Sequence, residues 1–240
     1  MHGSTAPSGK LNLTVVRAAD QHDQWQRHTS GAVWPARELS LAEIAHHGLP
    51  RHGLDERVNA WRTANFRHLW RGARRVLTAR ALRLATMYGS LYATHIKADG
   101  QVLHLGLASM RVVTTAGVNF LVDALQGSVE PEILRYHAVG TGTNAEASAD
   151  TALQTESTTI LTVDSTRATG TLTEGASANI YRTVGTVSFD GSGAITEHGI
   201  FSQAATGGGT LLDRSVFSAV NVVNGDSIAF TYDLTLPAGS

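Results

Sequence analysis

The sequence predicts a mainly β protein. The expected fold is an antiparallel, jelly-roll-like β-sandwich with one short helix, preceded by an extended arm and a long basic helix. Three observations carry this expectation. Beyond residue 88, about eight strand-like runs are separated by Gly-rich turns at sandwich spacing. The last run alternates: Ile228, Phe230, Tyr232, Leu234 and Leu236 point one way, and Ala229, Thr231, Asp233 and Thr235 the other. Ahead of the strands, residues 54–86 repeat apolar positions at intervals of three and four, the period of a helix. The expected organisation is an arm over 1–53, a basic amphipathic helix over 54–87 and a sandwich over 88–240.

The arm has no persistent period. Leu11–Val16 reads as a short strand and Leu39–His46 as a helical turn. Trp25 and Trp34 stand in polar surroundings, where an isolated Trp serves as an anchor against a neighbour or folds back on its own domain. In the helix, Val58, Trp61, Phe66, Leu69, Trp70, Val76 and Leu77 mark the apolar period, and arginines fill much of the rest. Gly72 is expected to weaken or bend its middle. Leu91–Ile96, Val102–Leu107 and Met110–Thr114 are strand candidates around a turn at Ala98–Gln101. Thr115 is the expected cap of a helix over Ala116–Gln126, with an apolar stripe of Val118, Leu121, Val122 and Leu125. Further strands are expected at Leu134–Val139, Thr159–Val163, Ala168–Thr173, Asn179–Phe189 and Ala194–Ser202. Leu211–Val223 and Asp226–Leu236 flank Asn224-Gly225, the dipeptide of a type I′ hairpin.

Composition narrows the chemistry. Without Cys there is no disulfide framework, thiolate nucleophile or Cys-based zinc site. No apolar run reaches the roughly 18 residues of a membrane span, and the first ten residues do not read as a leader. Charge is divided. Residues 1–119 carry 15 Lys+Arg against 7 Asp+Glu, a balance of +8; residues 120–240 carry 4 against 13, a balance of −9. Such a division suits copies that attract head to tail, or different partners for each half.

Tyr136–Leu153 (YHAVGTGTNAEASADTAL), Arg167–Val184 (RATGTLTEGASANIYRTV), Ala194–Phe201 (AITEHGIF), Gly209–Val223 (GTLLDRSVFSAVNVV) and Gly225–Leu236 (GDSIAFTYDLTL) occur in that order. The pattern resembles a family of tailed-bacteriophage virion structural proteins and spans roughly residues 88–240. The resemblance implies a component of the particle without an enzyme assignment, first of all a capsid decoration (cement) protein. Its location would be the virion, on the capsid surface, after synthesis in the host bacterial cytoplasm. Its partner would be the major capsid protein, or a portal or tail protein if it sits at the head–tail connection. Self-association, as a trimer, is expected. Residues 1–53 match nothing in the family.

Candidate chemistry is sparse. Glu197-His198 with Asp213 and His137 is the best acid–base set. Adjacent residues on a strand face opposite ways, so Glu197 and His198 cannot share a site. Structural roles are expected instead, with Glu197 or Asp213 paired to Arg214 or Arg182. His46, His47 and His52 match no metal-ligand spacing, and no metal or cofactor is expected. Gly140-Thr141-Gly142-Thr143 lacks the Lys-Ser/Thr of a phosphate loop. No catalytic residue is assigned. The expected interface residues are Trp25, Trp34, Trp61 and Trp70 with Arg67, Arg71, Arg74 and Arg75. Nucleic acid is not an expected partner, because no recognition motif accompanies the charge, nor is a membrane. The competing readings are a connector or tail component and a carbohydrate- or receptor-binding sandwich.

Overall fold

The computed structural model describes residues 55–82, 84 and 86–238. The expected strand and helical turn of the arm, with Trp25 and Trp34, lie outside the described residues. Helix α1 (Glu56–Ala81) opens on Glu56, whose charge complements the helix dipole. It stops short of the expected end at residue 86, and Leu82 and Leu84 are exposed. The strands are β1 (Tyr88–Ile96), β2 (Val102–Val112), β3 (Tyr136–Gly140), β4 (Ala168–Thr169), β5 (Thr171–Glu174), β6 (Ile180–Ser188), β7 (Gly193–Phe201), β8 (Leu211–Val222) and β9 (Ser227–Thr235). Helix α2 (Thr115–Leu125) lies between β2 and β3.

Every pairing is antiparallel, and the strands form a sandwich of two sheets. One sheet has the order β2-β1-β9-β6-β5, the other β4-β3-β7-β8. The alternation read in the last strand is observed as far as Leu234; Leu236 lies beyond the end of β9 and is exposed. Ile228, Phe230, Tyr232 and Leu234 are fully buried and face the second sheet's Ile195, Ile200 and Phe217 in one core. Each such side chain contributes about 1.5–3 kcal/mol of transfer free energy.

The expected hairpin at Asn224-Gly225 does not form. β8 pairs with β7, and β9 lies between β1 and β6, so this turn carries the chain from one sheet to the other. Only Gly225 has positive φ (86°), and Asp226 N–H donates to Val223 O at 3.0 Å, a type II-like turn rather than I′. Gly225 N–H is bonded to Phe189 O, and Phe189 N–H to Asp226 O, which ties this crossing to the β6–β7 crossing beside it. The Asp226 carboxylate accepts from His95, Lys97, Ala98 N–H and Val223 N–H. Although burial opposes ionisation, these donors hold its carboxyl well below the usual range.

Other local expectations shift in register. The two runs Val102–Leu107 and Met110–Thr114 join as β2, with register breaks opposite Leu91/Tyr92 and Ala93/Thr94 absorbing the extra residues. Ala168–Thr173 splits at Gly170 into β4 and β5, which belong to different sheets. Thr159–Val163 supplies only an isolated bridge, Leu161 to Phe189. Thr114, not Thr115, caps α2: its hydroxyl accepts from Gly117 N–H at 2.9 Å. The buried face of α2 runs through Gly117 and Phe120, while Val122 and Leu125 are exposed. A Cβ at Gly117 would press on Leu212, so the start of the helix lies flat on β8.

The compact unit begins at Glu56, ahead of the boundary expected at Tyr88. Helix α1 packs along β2 and β8, the free edges of the two sheets on that side. Arg62 donates to the carbonyls of Leu105 and His104, and Asn65 to Ala108 O. Asn65 also accepts from Ser218 N–H, and Trp61 donates to Ser218 O. Side chains of the helix thus satisfy backbone groups that an edge strand would leave unpaired. Gly72 lies within one unbroken helix. A Cβ there would overlap the Met110 carbonyl oxygen, so the glycine lets the helix lie against β2.

Candidate functional site

Strand β7 turns Glu197 and His198 to opposite faces, as alternation requires. Glu197 lies beneath the loop that follows β3. Its carboxylate takes Arg214 at 2.7 Å and the backbone N–H groups of Gly142, Thr155 and Gln154 at 2.9, 2.7 and 3.0 Å. Glu197 and Arg214 are both buried. Of the Gly-Thr-Gly-Thr loop only Gly142 N–H reaches this anion; the other two backbone donors come from the Gln154-Thr155 segment, so the loop is tied down by the protein's own carboxylate. A Cβ at Gly142 would come within 2.5 Å of Glu197 Oε1. Arg214 also reaches Asp150 and Asn144.

His198 faces inward. Its Nε2 lies 3.0 Å from His137 Nδ1, and His137 Nε2 lies 3.2 Å from Thr183 Oγ1. The His198 ring packs on Phe230 with centroids 4.5 Å apart. Burial pushes His137 down to about 3 and lowers His198 well below its ordinary value. Two neutral rings share one hydrogen bond, one nitrogen donating and the other accepting. Both rings are buried among packed side chains, and among the described residues no carboxylate orients them. They form a core polar pair, not an acid–base dyad open to substrate.

Asp213 is also between the sheets. Ser215 donates to its Oδ1 at 3.3 Å, and burial raises its carboxyl to about 7. Its Oδ2 and the Tyr232 hydroxyl both lie against Gly89, where a Cβ would come within 2.6 and 2.8 Å of them. The expected pairing of Asp213 with Arg182 is not made. Arg182 holds Asp233, its cross-strand neighbour on β9, through two bonds of 2.6 and 2.7 Å. Arg182 and Asp213 belong to different sheets, which the sequence alone does not disclose.

The interface residues divide. Trp61 is half-buried in its own domain, bonded to Ser218, and is not a free anchor. Trp70 is exposed and stacks with Phe66, ring centroids 6.5 Å apart. Arg67, Arg74 and Arg75 are exposed. Arg71 approaches Glu146 at 3.6 Å. Glu146 is buried and also paired with Arg111, which burial lowers below the usual guanidinium value while Glu146 opposes the shift. Val216 N–H donates to the same carboxylate.

Several residues escaped sequence reading. Asn65 is fully buried and joins both sheets. Arg111 and Glu146 close the seam between β2, β8 and α1. Arg167 stacks 3.5 Å above Phe201 and grips Glu156 in a fork. No local pattern marks any of them; the partners that join elements lie 11 to 153 residues away. Fold and clusters together define a β-sandwich sealed along one side by a helix, with its acid–base groups closed inside. No protein-family model, curated protein or solved structure matches this chain.

Proposed function

We propose that this protein is a structural component of a tailed-bacteriophage particle, a decoration (cement) protein that docks on neighbouring subunits of the major capsid protein. The observation that carries the reading is the outer face of α1. Phe66, Trp70 and Leu77 are 64%, 54% and 54% exposed. Their spacing of four and seven puts them on one stripe, bordered by Arg67 and Arg74. Exposed aromatic residues beside Arg have the composition of a protein interface. The buried, paired acid–base groups support docking rather than turnover. The resemblance of residues 88–240 to phage virion proteins supplies the setting. In this reading residues 1–53 extend the grip, and the sandwiches associate as a trimer.

A connector or tail position is the second reading. The exposed arginines of α1 favour it, since they suit an acidic ring protein or DNA. A carbohydrate-binding role has less support, because the loops at 140–150, 190–193 and 206–209 contain no aromatic residue. Copy number separates the first two. Densitometry of purified particles should give roughly one copy per capsid subunit or per few subunits, as a lattice-wide protein requires. About a dozen copies or fewer would move it to a symmetric ring at the neck or tail. Absence from the particle would overturn both. The double substitution Phe66→Ser, Trp70→Ser should abolish attachment while leaving the protein folded.

A further inference from the structure

A cleft of about 250 Å³ opens where α1, the end of β2 and the 140–150 loop meet. Arg75, Arg111, Thr114, Glu146, Ser148 and Arg214 line it. Its charge is unbalanced. Arg111 and Arg71 converge on Glu146, and Arg214 is held by Glu197 and Asp150. Arg75 has no hydrogen-bond or ion-pair partner among the described residues, and the buried Arg111 Nε also lacks one. Four guanidiniums thus meet three paired carboxylates, with the Asp213 carboxyl, which burial raises to about 7, behind Arg111; the guanidinium left without a partner is Arg75. A monoanion would cancel its charge. A dianion such as phosphate would leave net negative charge beside Glu146, at a cost that the partly enclosed wall increases. The guanidinium fork matches the two oxygens of a carboxylate.

We infer that this cleft is a carboxylate-binding site, filled by an acidic side chain or chain terminus presented by the docking partner. This rests on the reading of α1 as a docking face. At about 100° per residue, Arg74, then Arg71, then Arg75 step round the helix from the exposed stripe to the cleft. A partner lying on Phe66, Trp70 and Leu77 would pass this arginine row before its carboxylate reached Arg75.

The test uses the full chain and three probes: sodium propionate, sodium phosphate and sodium chloride at matched ionic strength near neutral pH. Backbone amide resonances of Glu146, Ala147 and Ser148 report occupancy. Propionate should give saturable shifts in the millimolar range, and chloride none. Arg75→Gln should weaken propionate binding by about fivefold or more, the loss of a charge-assisted pair. Arg74→Gln removes the same charge one residue away and should change it by less than about twofold. Non-saturating shifts, or equal binding by the Arg75→Gln protein, would overturn the site. Tighter binding of phosphate than of propionate would overturn the carboxylate assignment. Particle copy number tests docking separately. A failed titration with lattice-level copies removes only the cleft, and absence from particles removes the docking face.

Discussion

His137 and His198 are held neutral by burial, and this has a sign on the pH axis. Their folded values lie below the ordinary 6.5, so unfolding takes up protons as the pH falls through that value. His68 and His95 shift the same way, with burial again the first cause. The histidines' contribution is therefore full above about pH 6.5 and declines below it, by about 1.4 kcal/mol per pH unit for each proton taken up. Asp213 acts in the opposite sense. Its raised carboxyl keeps a proton in the fold that the unfolded chain has lost, a contribution present below about pH 3.8 and lost as the pH rises to about 7. Asp213→Asn copies the protonated acid and removes this opposition. Urea midpoints measured between pH 7 and pH 4 should fall more steeply for Asp213→Asn than for the parent. Equal slopes would show that Asp213 titrates normally.

Among the elements, α1 shows how one feature reads differently in isolation and in the fold. Gly72 looks like a weak point, since Ala is favoured over Gly in a helix by about 1 kcal/mol. In the fold it lies directly against β2, and a methyl group there would overlap the Met110 carbonyl. Gly72→Ala should therefore destabilise the protein by about 2–4 kcal/mol, against its helix propensity. An unchanged or higher urea midpoint would mean that α1 can shift outward at little cost. The same contrast holds at Asn224-Gly225. Both residues suit a hairpin, but Phe189 and Asp226 bind the turn to a crossing between sheets.

For the whole molecule, the consequence is that α1 belongs to the sandwich. It covers the edges of β2 and β8 and supplies polar side chains to both. Removing residues 1–53 should leave a soluble protein with a cooperative unfolding transition and weakened particle attachment, since the α1 face remains. Removing residues 1–87 should expose two strand edges and give a protein destabilised by several kcal/mol and prone to self-pair. Urea unfolding and size-exclusion chromatography distinguish the two. A chain starting at Tyr88 that is monomeric with an unchanged midpoint would show that the helix is an accessory.

Sequence alone determined the sandwich class and the faces of β7 and β9; it left open which of Glu197 and Asp213 pairs with which of Arg214 and Arg182, and the structure pairs Glu197 with Arg214. Period-two alternation is a local property, written in consecutive residues, so it assigns Ile228 to the core and separates Glu197 from His198 without any knowledge of neighbours. Tertiary structure alone decided that β9 lies between β1 and β6, that Arg182 meets Asp233, and that Asn65, Arg111 and Glu146 close the seam. Those choices depend on which strands become neighbours. That is set by the total burial and hydrogen bonding of the assembled sheets, with partners up to 157 residues apart in the chain.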